Sequence, residues 1–443
     1  MEIKIKNFAK IKEADIILDG ITVIAGENNT GKSTIGKIVF SLFNSISNID
    51  EKIFKERLNE IESTNRIIVT SMIAKMGLSR VMMSRSALGI PKQINVRIKR
   101  ELRKREVIPD EVLIHLIERI LKNWWRAVMK DDSEGMNELA YFVNKLFVNT
   151  KEILNIPEEE IVLEIVSRYF NAVFHSQIKP LSLNAKGKTE LYLNFNEKKT
   201  KFVFEDNFCE ECMNSTKMFN KAIYIENPFI IDALPKGRYV EVNPMNEMLM
   251  SLLTKKTQED IMDGVIESVR VKDKLNDIYA MLKSVVDGEI LIKRNNEEYY
   301  LENREFEKPI LLSNLSTGMK SFVIIKMLLE KGCLNENDVV ILDEPEIHLH
   351  PQWQMIYAEL IVLLQKQFQL SIVVTTHSPY FLDALNLFSH KNGIDDKVNF
   401  YLSKNIGEGI KMEKVTDKID LIYKKMALPI QKLDTLRYEL NHQ

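Results

Sequence analysis

The stretch that decides the fold of this chain is Gly26-Glu27-Asn28-Asn29-Thr30-Gly31-Lys32-Ser33. It has the pattern GxxxxGK[ST], in which glycines let the backbone curl around an anion. The run 21–25 before it is apolar and β-branched, and residues 35–43 after it carry apolar side chains at helical spacing. The sequence therefore predicts a buried strand, a phosphate-binding loop and a helix, in that order.

This loop is predicted to bind a nucleoside triphosphate together with Mg²⁺. Its backbone N–H groups and the positive end of the following helix attract phosphate oxygens. The Lys32 ammonium is expected to reach the β- and γ-phosphates, and the Ser33 hydroxyl is expected to ligate the metal. The predicted nucleotide-binding residues of the loop are Gly26, Asn28, Asn29, Thr30, Gly31, Lys32, Ser33 and Thr34.

Two apolar runs in the second half of the chain end in residues that suit nucleotide hydrolysis. The run 339–342 leads into Asp343, predicted to hold Mg²⁺ through water, and Glu344, predicted to polarise the attacking water as general base. The run 371–376 delivers His377, for which a γ-phosphate sensor is favoured over a neutral core histidine. Since open α/β sheets bind ligands at the carboxyl ends of their strands, these side chains are expected to meet the phosphate loop.

A second anion-binding segment is predicted at Leu315-Ser316-Thr317-Gly318-Met319-Lys320, which precedes an apolar helix. Ser316 is placed to cap that helix, and Gly318 lets another group approach the backbone closely. Ordinary helix capping also explains these letters, because Ser-Thr-Gly before a helix is common. The functional interpretation is that Ser316 and Gly318 contact a nucleotide.

In this order the motifs resemble an ABC-type ATPase head. They are GENNTGKS at 26–33, LSTGMK at 315–320, ILDEPEIHLHP at 341–351 and TTHSP at 375–379. The resemblance is strongest to the SMC/RecF-like branch, where the signature LSTGM replaces LSGGQ. Within that branch the chain is similar to the overcoming-lysogenisation (OLD) type and to anti-phage ATPases of the Septu and PARIS types. The similarity covers roughly residues 1–44 and 180–390.

The resemblance implies an α/β fold, namely a P-loop ATPase head with a mixed sheet, an antiparallel β-subdomain and a helical insertion. The N-terminal part of the head, with the phosphate loop, is expected at residues 1–44. The helical insertion is expected at 45–179, and the C-terminal part of the head at 180–443.

The same resemblance implies an enzyme that hydrolyses ATP, with ATP and Mg²⁺ as cofactors. The residues to which it assigns catalysis are Lys32, Glu344 and His377, and those to which it assigns the metal are Ser33 and Asp343. In this family two heads pair head to tail, so each nucleotide lies between Lys32 of one chain and Ser316 and Gly318 of the other. A homodimer or higher homo-oligomer is therefore expected.

The Q-loop, the insertion and the E-x-H-x-H segment also bear on the family resemblance. The sequence does not place the family's Q-loop, for which Gln177 is a weak candidate, and the insertion lacks the long coiled coil of SMC proteins because prolines interrupt it. Glu346, His348 and His350 form an E-x-H-x-H pattern that could hold a metal. The family carries the same letters in a segment that resembles a dimer-contact loop, and that interpretation is favoured.

The nuclease motifs of OLD relatives are not found in this sequence. A Toprim domain needs a D-x-D pattern, but the 66 residues after His377 contain only Asp395-Asp396, side by side. No His–Asn–His cluster is present either. We therefore expect an ATPase that controls a separate effector, a nuclease or toxin, in bacterial anti-phage defence. The alternative is a RecF/SMC-like DNA-binding ATPase in repair; a transporter ATPase fits less well because the insertion is too long.

Three further patterns have competing interpretations. Seven basic residues between Lys92 and Arg105 share a helix with apolar residues, and they suit either nucleic-acid phosphates or plain solvation. Cys209-Glu210-Glu211-Cys212 is either half a zinc site or, preferably, a pair of reduced thiols. Trp124-Trp125 is expected in a core or partner interface rather than in a base-stacking platform.

Bulk properties place few limits on function. The formal net charge of −2 over 443 residues gives no global attraction to nucleic acid or membrane. No apolar run has the length of a membrane span, the N-terminus is not a signal peptide, and three cysteines are too few for a disulfide framework. A cytoplasmic protein without membrane contact is expected. Its C-terminal helix, 419–440, is predicted to dock a partner as two short segments around Pro429.

Overall fold

The computed structural model describes residues 1–75, 87–105, 107–129, 135–181, 187–195, 198–213, 218–234, 243–255, 265–293, 298–303, 307–407 and 409–441. The chain forms two compact units, one of Met1–Ser47 with Leu163–Gln443 and one of Asn48–Val162. The boundary expected at residue 179 thus falls inside the first unit. The helix Glu158–Phe174 ends in that unit, where the rings of Phe174 and Phe8 lie 4.7 Å apart between centroids.

Fourteen strands are present among the described residues of the first unit. They are β1 (Glu2–Phe8), β2 (Ile11–Ile17), β3 (Ile21–Ala25), β4 (Thr189–Phe195), β5 (Lys198–Glu205), β6 (Phe208–Met213), β7 (Ala222–Ile225), β8 (Glu289–Lys293), β9 (Glu298–Glu302), β10 (Ile310–Leu311), β11 (Val339–Asp343), β12 (Ser371–Thr376), β13 (Val398–Asn405) and β14 (Ile410–Lys414). Eleven of them form one sheet in the order β6-β5-β4-β1-β2-β14-β13-β3-β12-β11-β7, and β10-β9-β8 form a second sheet.

The strands that carry the nucleotide motifs lie side by side in the parallel half of the large sheet. β3 pairs in parallel with β13 and β12, β12 with β11, and β11 with β7. Every residue of β3, β11 and β12 is buried, as expected of parallel strands that are covered on both faces. The register aligns their carboxyl ends, because Ala25 lies opposite Thr376 and Asp343 opposite Thr375. The loops that follow these strands therefore meet at one edge of the sheet.

Most strand pairs in the other half of the sheet are antiparallel, although β14 pairs in parallel with β2. β1 pairs antiparallel with β2 and β4, and β4 to β6 continue as a meander. Side chains of β1 alternate between buried Ile3 and Ile5 and the less buried Lys4 and Lys6, the pattern of a half-exposed strand. The predicted α/β class, with a mixed sheet and an antiparallel part, is confirmed.

Twelve α-helices lie among the described residues. They are α1 (Lys32–Ile46), α2 (Ile49–Lys75), α3 (Ile90–Leu102), α4 (Asp110–Met129), α5 (Gly135–Leu154), α6 (Glu158–Phe174), α7 (Pro244–Leu253), α8 (Val265–Val285), α9 (Thr317–Glu330), α10 (Pro351–Phe368), α11 (Pro379–Lys391) and α12 (Asp420–Asn441). The core of the first unit joins buried side chains of β3, β11 and β12 to those of α9, α10 and α11.

The second unit is a helical insertion with its own core, built from α2 to α5. Ile94 and Ile98 of α3 are fully buried in it, as the apolar stripe of this helix predicts. Trp124 and Trp125 of α4 are also buried there, which agrees with the core interpretation of this pair and leaves neither ring free for base stacking.

Several local expectations differ from the structure. The apolar run 229–231 predicts a strand, but these residues lie in the 3-10 helix Pro228–Ala233, which Asn227 caps by accepting from the Phe229 N–H. β13 and β14 were not expected at all. Helix α12 is continuous from Asp420 to Asn441, whereas two short segments around Pro429 were predicted. The alternating residues Leu181 and Leu183 also predict a strand, most of which lies outside the described residues.

Candidate nucleotide site

The phosphate loop joins β3 to α1. Gly31 has a φ of 75°, a left-handed conformation that glycine adopts without steric cost, and helix α1 begins at the next residue, Lys32. No side chain caps this helix start. The first-turn N–H groups of α1 therefore remain available for an anion. Asn28 and Asn29 are exposed on the loop, and Lys10 donates to Asn29 Oδ1 at 2.7 Å.

Lys32 is folded over the loop that precedes it. Its Nζ donates to the carbonyl oxygens of Gly26 at 3.1 Å and Glu27 at 2.9 Å. The same ammonium lies 3.5 Å from Glu344 Oε1 and is only 4% exposed. The Lys32 ammonium thus lies between two loop carbonyls and a carboxylate, at the position where phosphates are expected.

Asp343, at the end of β11, is held by three hydroxyl groups. Ser33 Oγ donates to its Oδ1 at 3.0 Å, Tyr224 Oη donates to Oδ2 at 2.6 Å, and Thr375 Oγ1 donates to Oδ1. Burial, followed by the charge of Asp343, raises the pKa of Tyr224 well above its usual value, so this phenol stays a donor. The carboxylate is thereby oriented toward the start of α1.

The oxygen atoms around Ser33 and Asp343 suit a hard divalent cation. A hydroxyl and a carboxylate 3.0 Å apart are the ligand types that Mg²⁺ prefers. Glu226, which follows β7, adds a further carboxylate at the same edge, since Ile225 lies opposite Leu342. Ser33 and Asp343 thus fit the metal that the sequence predicts.

Glu344 joins the phosphate loop to His377. Its φ of 50° is unusual for a residue other than glycine. Its N–H donates to Thr375 O at 3.1 Å and to Thr375 Oγ1 at 3.0 Å, which maintains this turn. Glu344 Oε1 lies 3.5 Å from Lys32 Nζ and 3.5 Å from His377 Nδ1. The expected base and the expected sensor therefore lie beside the loop lysine.

Glu346 holds the turn that carries His377 by accepting hydrogen bonds from Thr376 and His377. Its Oε1 accepts from Thr376 Oγ1 at 2.6 Å and from the His377 N–H at 3.0 Å, and the residue is 2% exposed. Its Oε2 is buried without a hydrogen-bond partner. Burial raises the pKa of this carboxyl, and the bonds from Thr376 and His377 oppose that rise.

The E-x-H-x-H residues do not converge on one point. Glu346 turns inward, the His348 ring lies 5.7 Å from the ring of Phe229, and His350 caps α10 by accepting from the Gln352 N–H. In the described part of the chain no group of three or more His, Cys, Asp or Glu side chains is arranged to hold a metal.

The signature segment is packed against the loop that follows β11. Ser316 is exposed and caps α9 by accepting from the Met319 N–H at 3.4 Å. A Cβ on Gly318 would lie 3.1 Å from both His348 O and the Trp353 ring, so a larger residue there would force these neighbours to shift by a few tenths of an ångström. No hydrogen bond or ion pair of the described residues joins residues 316–318 to the phosphate loop.

The remaining predicted residues are not on the strands, loops and helix that form this site. Gln177 is exposed beyond the end of α6. The seven basic residues from Lys92 to Arg105 are all exposed on or just after α3. Cys209 and Cys212 are free thiols on β6, and burial raises the pKa of Cys209 to about 12 and that of Cys212 to about 11.

Sequence reasoning missed four residues that shape the site. Tyr224, Glu226 and Thr375 lie within or next to runs that were read only as buried strand. Their position at the carboxyl end of parallel strands is the signal that was available for finding them. Ser403 of β13 supports the phosphate loop by donating to Thr30 Oγ1 at 2.7 Å, and no local pattern in the sequence indicates that contact.

The chain matches one protein family and is similar in parts to several known proteins. Residues 1–382 match the model of AAA_15, the AAA ATPase domain family. The chain is 27% identical over 212 residues to the Retron Ec83 probable ATPase of Escherichia coli, covering 40% of this chain and 38% of that protein. It is 31% identical over 129 residues to the Septu protein PtuA of Bacillus thuringiensis, covering 26% and 29%. It is 32% identical over 84 residues to the OLD nuclease of Thermus scotoductus, covering 19% and 16%.

The chain therefore matches less than two fifths of the length of each of these curated relatives. Among solved structures, the SMC head domain from Thermotoga maritima aligns over 94% of this chain and 98% of its own, with 12% identity and a TM-score of 0.39. The SmcHead bound to the C-winged helix domain of ScpA aligns over 95% and 98%, with 10% identity and a TM-score of 0.42. Within the described ranges of our chain, no helix has the length and apolar character needed to cross a membrane.

Proposed function

The chain belongs to the AAA ATPase domain family and is an ATPase, and we propose that its ATP cycle controls a separate effector protein in bacterial anti-phage defence. The hydrolytic site in this proposal is formed by the phosphate loop, the end of β11 and His377. The observation that carries it is the position of Glu344 Oε1, 3.5 Å from both Lys32 Nζ and His377 Nδ1.

Each side chain has a separate task in the proposed hydrolysis. Lys32 leaves the loop carbonyls to bind the β- and γ-phosphates, and Ser33 with Asp343 holds Mg²⁺, which neutralises phosphate charge when bound. Glu344 accepts a proton from the attacking water, and His377 donates a hydrogen bond to the γ-phosphate. Thr375 and Glu346 hold the two turns that present these groups.

We further propose that two chains pair head to tail around the nucleotide. The support is that Ser316 and Gly318 make no hydrogen bond to the phosphate loop of their own chain within the described residues, while Ser316 is exposed. Ile347, in the loop that follows Glu346, is 55% exposed although it is apolar. In this proposal Ile347, between Glu344 and the His350-capped start of α10, contacts the other chain.

The proposal of a separate effector rests on the relatives and on the chemistry within the chain. The relatives include a retron ATPase, a Septu protein and an OLD nuclease. The acidic residues near the nucleotide site, Asp343, Glu344 and Glu346, are committed to that site by their contacts. We therefore assign defence by cleavage or toxicity to another protein, whose activity follows the pairing and separation of the ATPase heads.

A second candidate function, a DNA-binding ATPase in repair, is supported by one observation, the exposed basic face of α3. Between residues 87 and 105 the chain has seven cationic side chains and one acid, Glu101. Lys104 and Arg105 pair with that acid. Lys92, Arg97 and the other three cations have no ion pair among the described residues.

The proposal is tested with the purified chain and with the chain expressed beside its neighbouring genes. We expect Mg²⁺-dependent ATP hydrolysis, an increase in mass on ATP addition when hydrolysis is blocked, and copurification of a nuclease or toxin. ATPase activity without pairing would contradict the head-to-tail arrangement. Stimulation by DNA, with no protein partner, would favour the repair function instead.

A further inference from the structure

The segment that follows the family match is linked to the phosphate loop by hydrogen bonds. That match ends at residue 382, yet β13 pairs in parallel with β3 and brings Ser403 beside Gly26. Ser403 is fully buried and its hydroxyl donates to Thr30 Oγ1 at 2.7 Å. The Thr30 hydroxyl in turn donates to the carbonyl of Glu27 at 2.6 Å. A chain of hydrogen bonds thus links β13 to the loop.

The first turns of α12 are anchored next to this chain of hydrogen bonds. Ile422 is fully buried in the core of the first unit, and Tyr423 Oη donates to Asp383 Oδ1 at 2.9 Å. Lys425 follows on the same turn. Its Nζ donates to the Ser403 carbonyl at 3.3 Å and lies 3.7 Å from Glu27 Oε1. Lys425 therefore contacts both β13 and the loop.

Glu27 brings a negative charge to a loop that is expected to receive a triphosphate. Its carboxylate is mostly exposed, and Lys425 is its only ion-pair partner among the described residues. A carboxylate without a neutralising cation would repel the incoming phosphates. The Lys425 ammonium cancels that charge from the side of α12.

We propose that Lys425 is a positioning residue of the nucleotide site. Its ammonium neutralises the Glu27 carboxylate, and its hydrogen bond to the Ser403 carbonyl holds Ser403 beside Gly26. Both effects favour binding of a triphosphate by the loop. The inference rests on the proposed assignment of residues 26–33 as the phosphate site. Because coupling between two sites is reciprocal, nucleotide binding should also stabilise the first turns of α12 around Lys425.

Two substitutions of Lys425 separate its charge from its hydrogen bond. Lys425→Gln keeps a donor for the Ser403 carbonyl but loses the charge, whereas Lys425→Arg keeps the charge. Lys424→Gln is the matched control, because Lys424 is the neighbouring lysine and is exposed. Glu27→Gln removes the charge that Lys425 is proposed to cancel. Binding of a fluorescent ATP analogue is measured for each full-length chain at low and high salt.

We expect Lys425→Gln to weaken ATP binding about two- to fivefold at low salt, the range of a partly exposed ion pair. Lys425→Arg should bind like the unmodified chain, and so should Lys424→Gln. In the Glu27→Gln background, Lys425→Gln should have no further effect, which is the signature of action through Glu27. Hydrogen exchange of residues 420–426 should slow when the unmodified chain binds ATP.

Other results would overturn the proposal. Unchanged binding by Lys425→Gln would remove any role for its charge, and an equal loss in the Glu27→Gln background would show that it does not act through Glu27. If Lys425→Gln does not fold, Glu27→Gln decides alone: it should bind ATP at least as tightly as the unmodified chain, with a steeper salt dependence. ATP binding that survives Lys32→Ala unchanged would contradict the phosphate-site assignment itself.

Discussion

Glu344 Oε1 lies 3.5 Å from Lys32 Nζ, although the two residues are 312 positions apart in the chain. The contact is made possible by the parallel pairing of β3, β12 and β11, which brings the loop after β3 beside the end of β11. In this arrangement the lysine holds the carboxylate near the site where a γ-phosphate is expected. In the proposed mechanism the lysine moves to phosphate, which breaks this contact and releases the carboxylate to act as a base.

Glu344→Gln should therefore abolish turnover and spare ATP binding. The amide cannot accept the proton of the attacking water, and loss of a general base costs about 10²-fold or more in rate. ATP hydrolysis and the affinity for an ATP analogue are measured for both chains. Glu359→Gln, on α10 away from the site, is the control. Full turnover by Glu344→Gln would reject Glu344 as the base.

Ser316→Arg tests whether the signature acts on a nucleotide bound to another chain. The added side chain should prevent the signature from contacting the other chain's nucleotide and so abolish hydrolysis, while ATP binding at the intact loop is retained. Mixing Ser316→Arg with Lys32→Ala should restore at most one active site per dimer, because one interface then has an intact loop and an intact signature. Unchanged hydrolysis by Ser316→Arg alone would contradict the head-to-tail arrangement.

Charge reversal on α3 tests whether this face binds nucleic acid. If it does, replacing Arg100, Arg103 and Lys104 with Glu should flatten the dependence of log affinity on log salt by about two to three, since each lost phosphate contact removes about 0.7–0.9. Affinity for a DNA or RNA duplex is measured between low and physiological salt. Reversal of three exposed lysines of the first unit, Lys418, Lys424 and Lys432, is the control. An unchanged slope would mean that the α3 face is only solvated or binds an acidic protein.

The sequence predicted the parts of the site that lie in local patterns and missed those that depend on tertiary contact. β3, β11 and β12 are continuous apolar runs, so their carboxyl ends and the residues that follow were predictable. β13 was missed because Asn399 and Ser403 interrupt its apolar pattern. Both polar side chains are buried and satisfied by tertiary hydrogen bonds, Asn399 to Asp19 O and Ser403 to Thr30. Such hydrogen bonds cannot be predicted from the sequence of a single strand.

The E-x-H-x-H segment shows the same limit. Its residue types are those of a metal site, but the direction of each side chain depends on the residues that surround it in the folded chain. Glu346 turns inward because Thr376 and the His377 N–H both donate to it. Helix α12 is a further example. Its apolar residues recur at helical spacing, but this pattern did not distinguish Ile422, which is fully buried, from Leu433, which is exposed.

Glu346→Gln should make stability less dependent on pH. Burial raises the folded-state pKa of Glu346 above its usual 4.5, so above pH 4.5 the folded state keeps a proton that the unfolded state has lost. Stability therefore falls as pH rises from 4.5 through the raised pKa, and the variant lacks this loss. His377 is a titratable neighbour of this carboxyl, with Nδ1 3.8 Å from Glu346 Oε1.

The measurement is the free energy of unfolding by urea at several pH values from 4.5 to 8. The difference between Glu346→Gln and the unmodified chain should grow in favour of the variant as pH rises. Glu336→Gln, at an exposed position, should give a curve parallel to that of the unmodified chain. A parallel curve for Glu346→Gln as well would show that Glu346 does not titrate differently on folding.

The C-terminal half of α12 is the surface that we expect an effector to contact. Residues 431–440 are all exposed, and Leu433, Leu436 and Leu440 recur at helical spacing on them. Ile422, which lies in the helix that the sequence predicts to dock a partner, is buried in the core instead. A charge at Ile422 would destabilise the fold and would not report on docking.

Leu433→Glu combined with Leu436→Glu should therefore remove a partner protein from the purified chain while leaving ATP hydrolysis intact. The two leucines have no nucleotide contact, and two charges on one helix face oppose burial against an apolar surface. The chain is purified with its neighbouring gene products, and bound protein and ATPase rate are measured together. Lys432→Glu with Thr435→Glu, between the same turns but on polar positions, is the matched control. Retention of the partner by the leucine variant would place the docking surface elsewhere. Metal-dependent cleavage of DNA or RNA by the isolated chain, abolished by a mutation within it, would contradict a separate effector altogether.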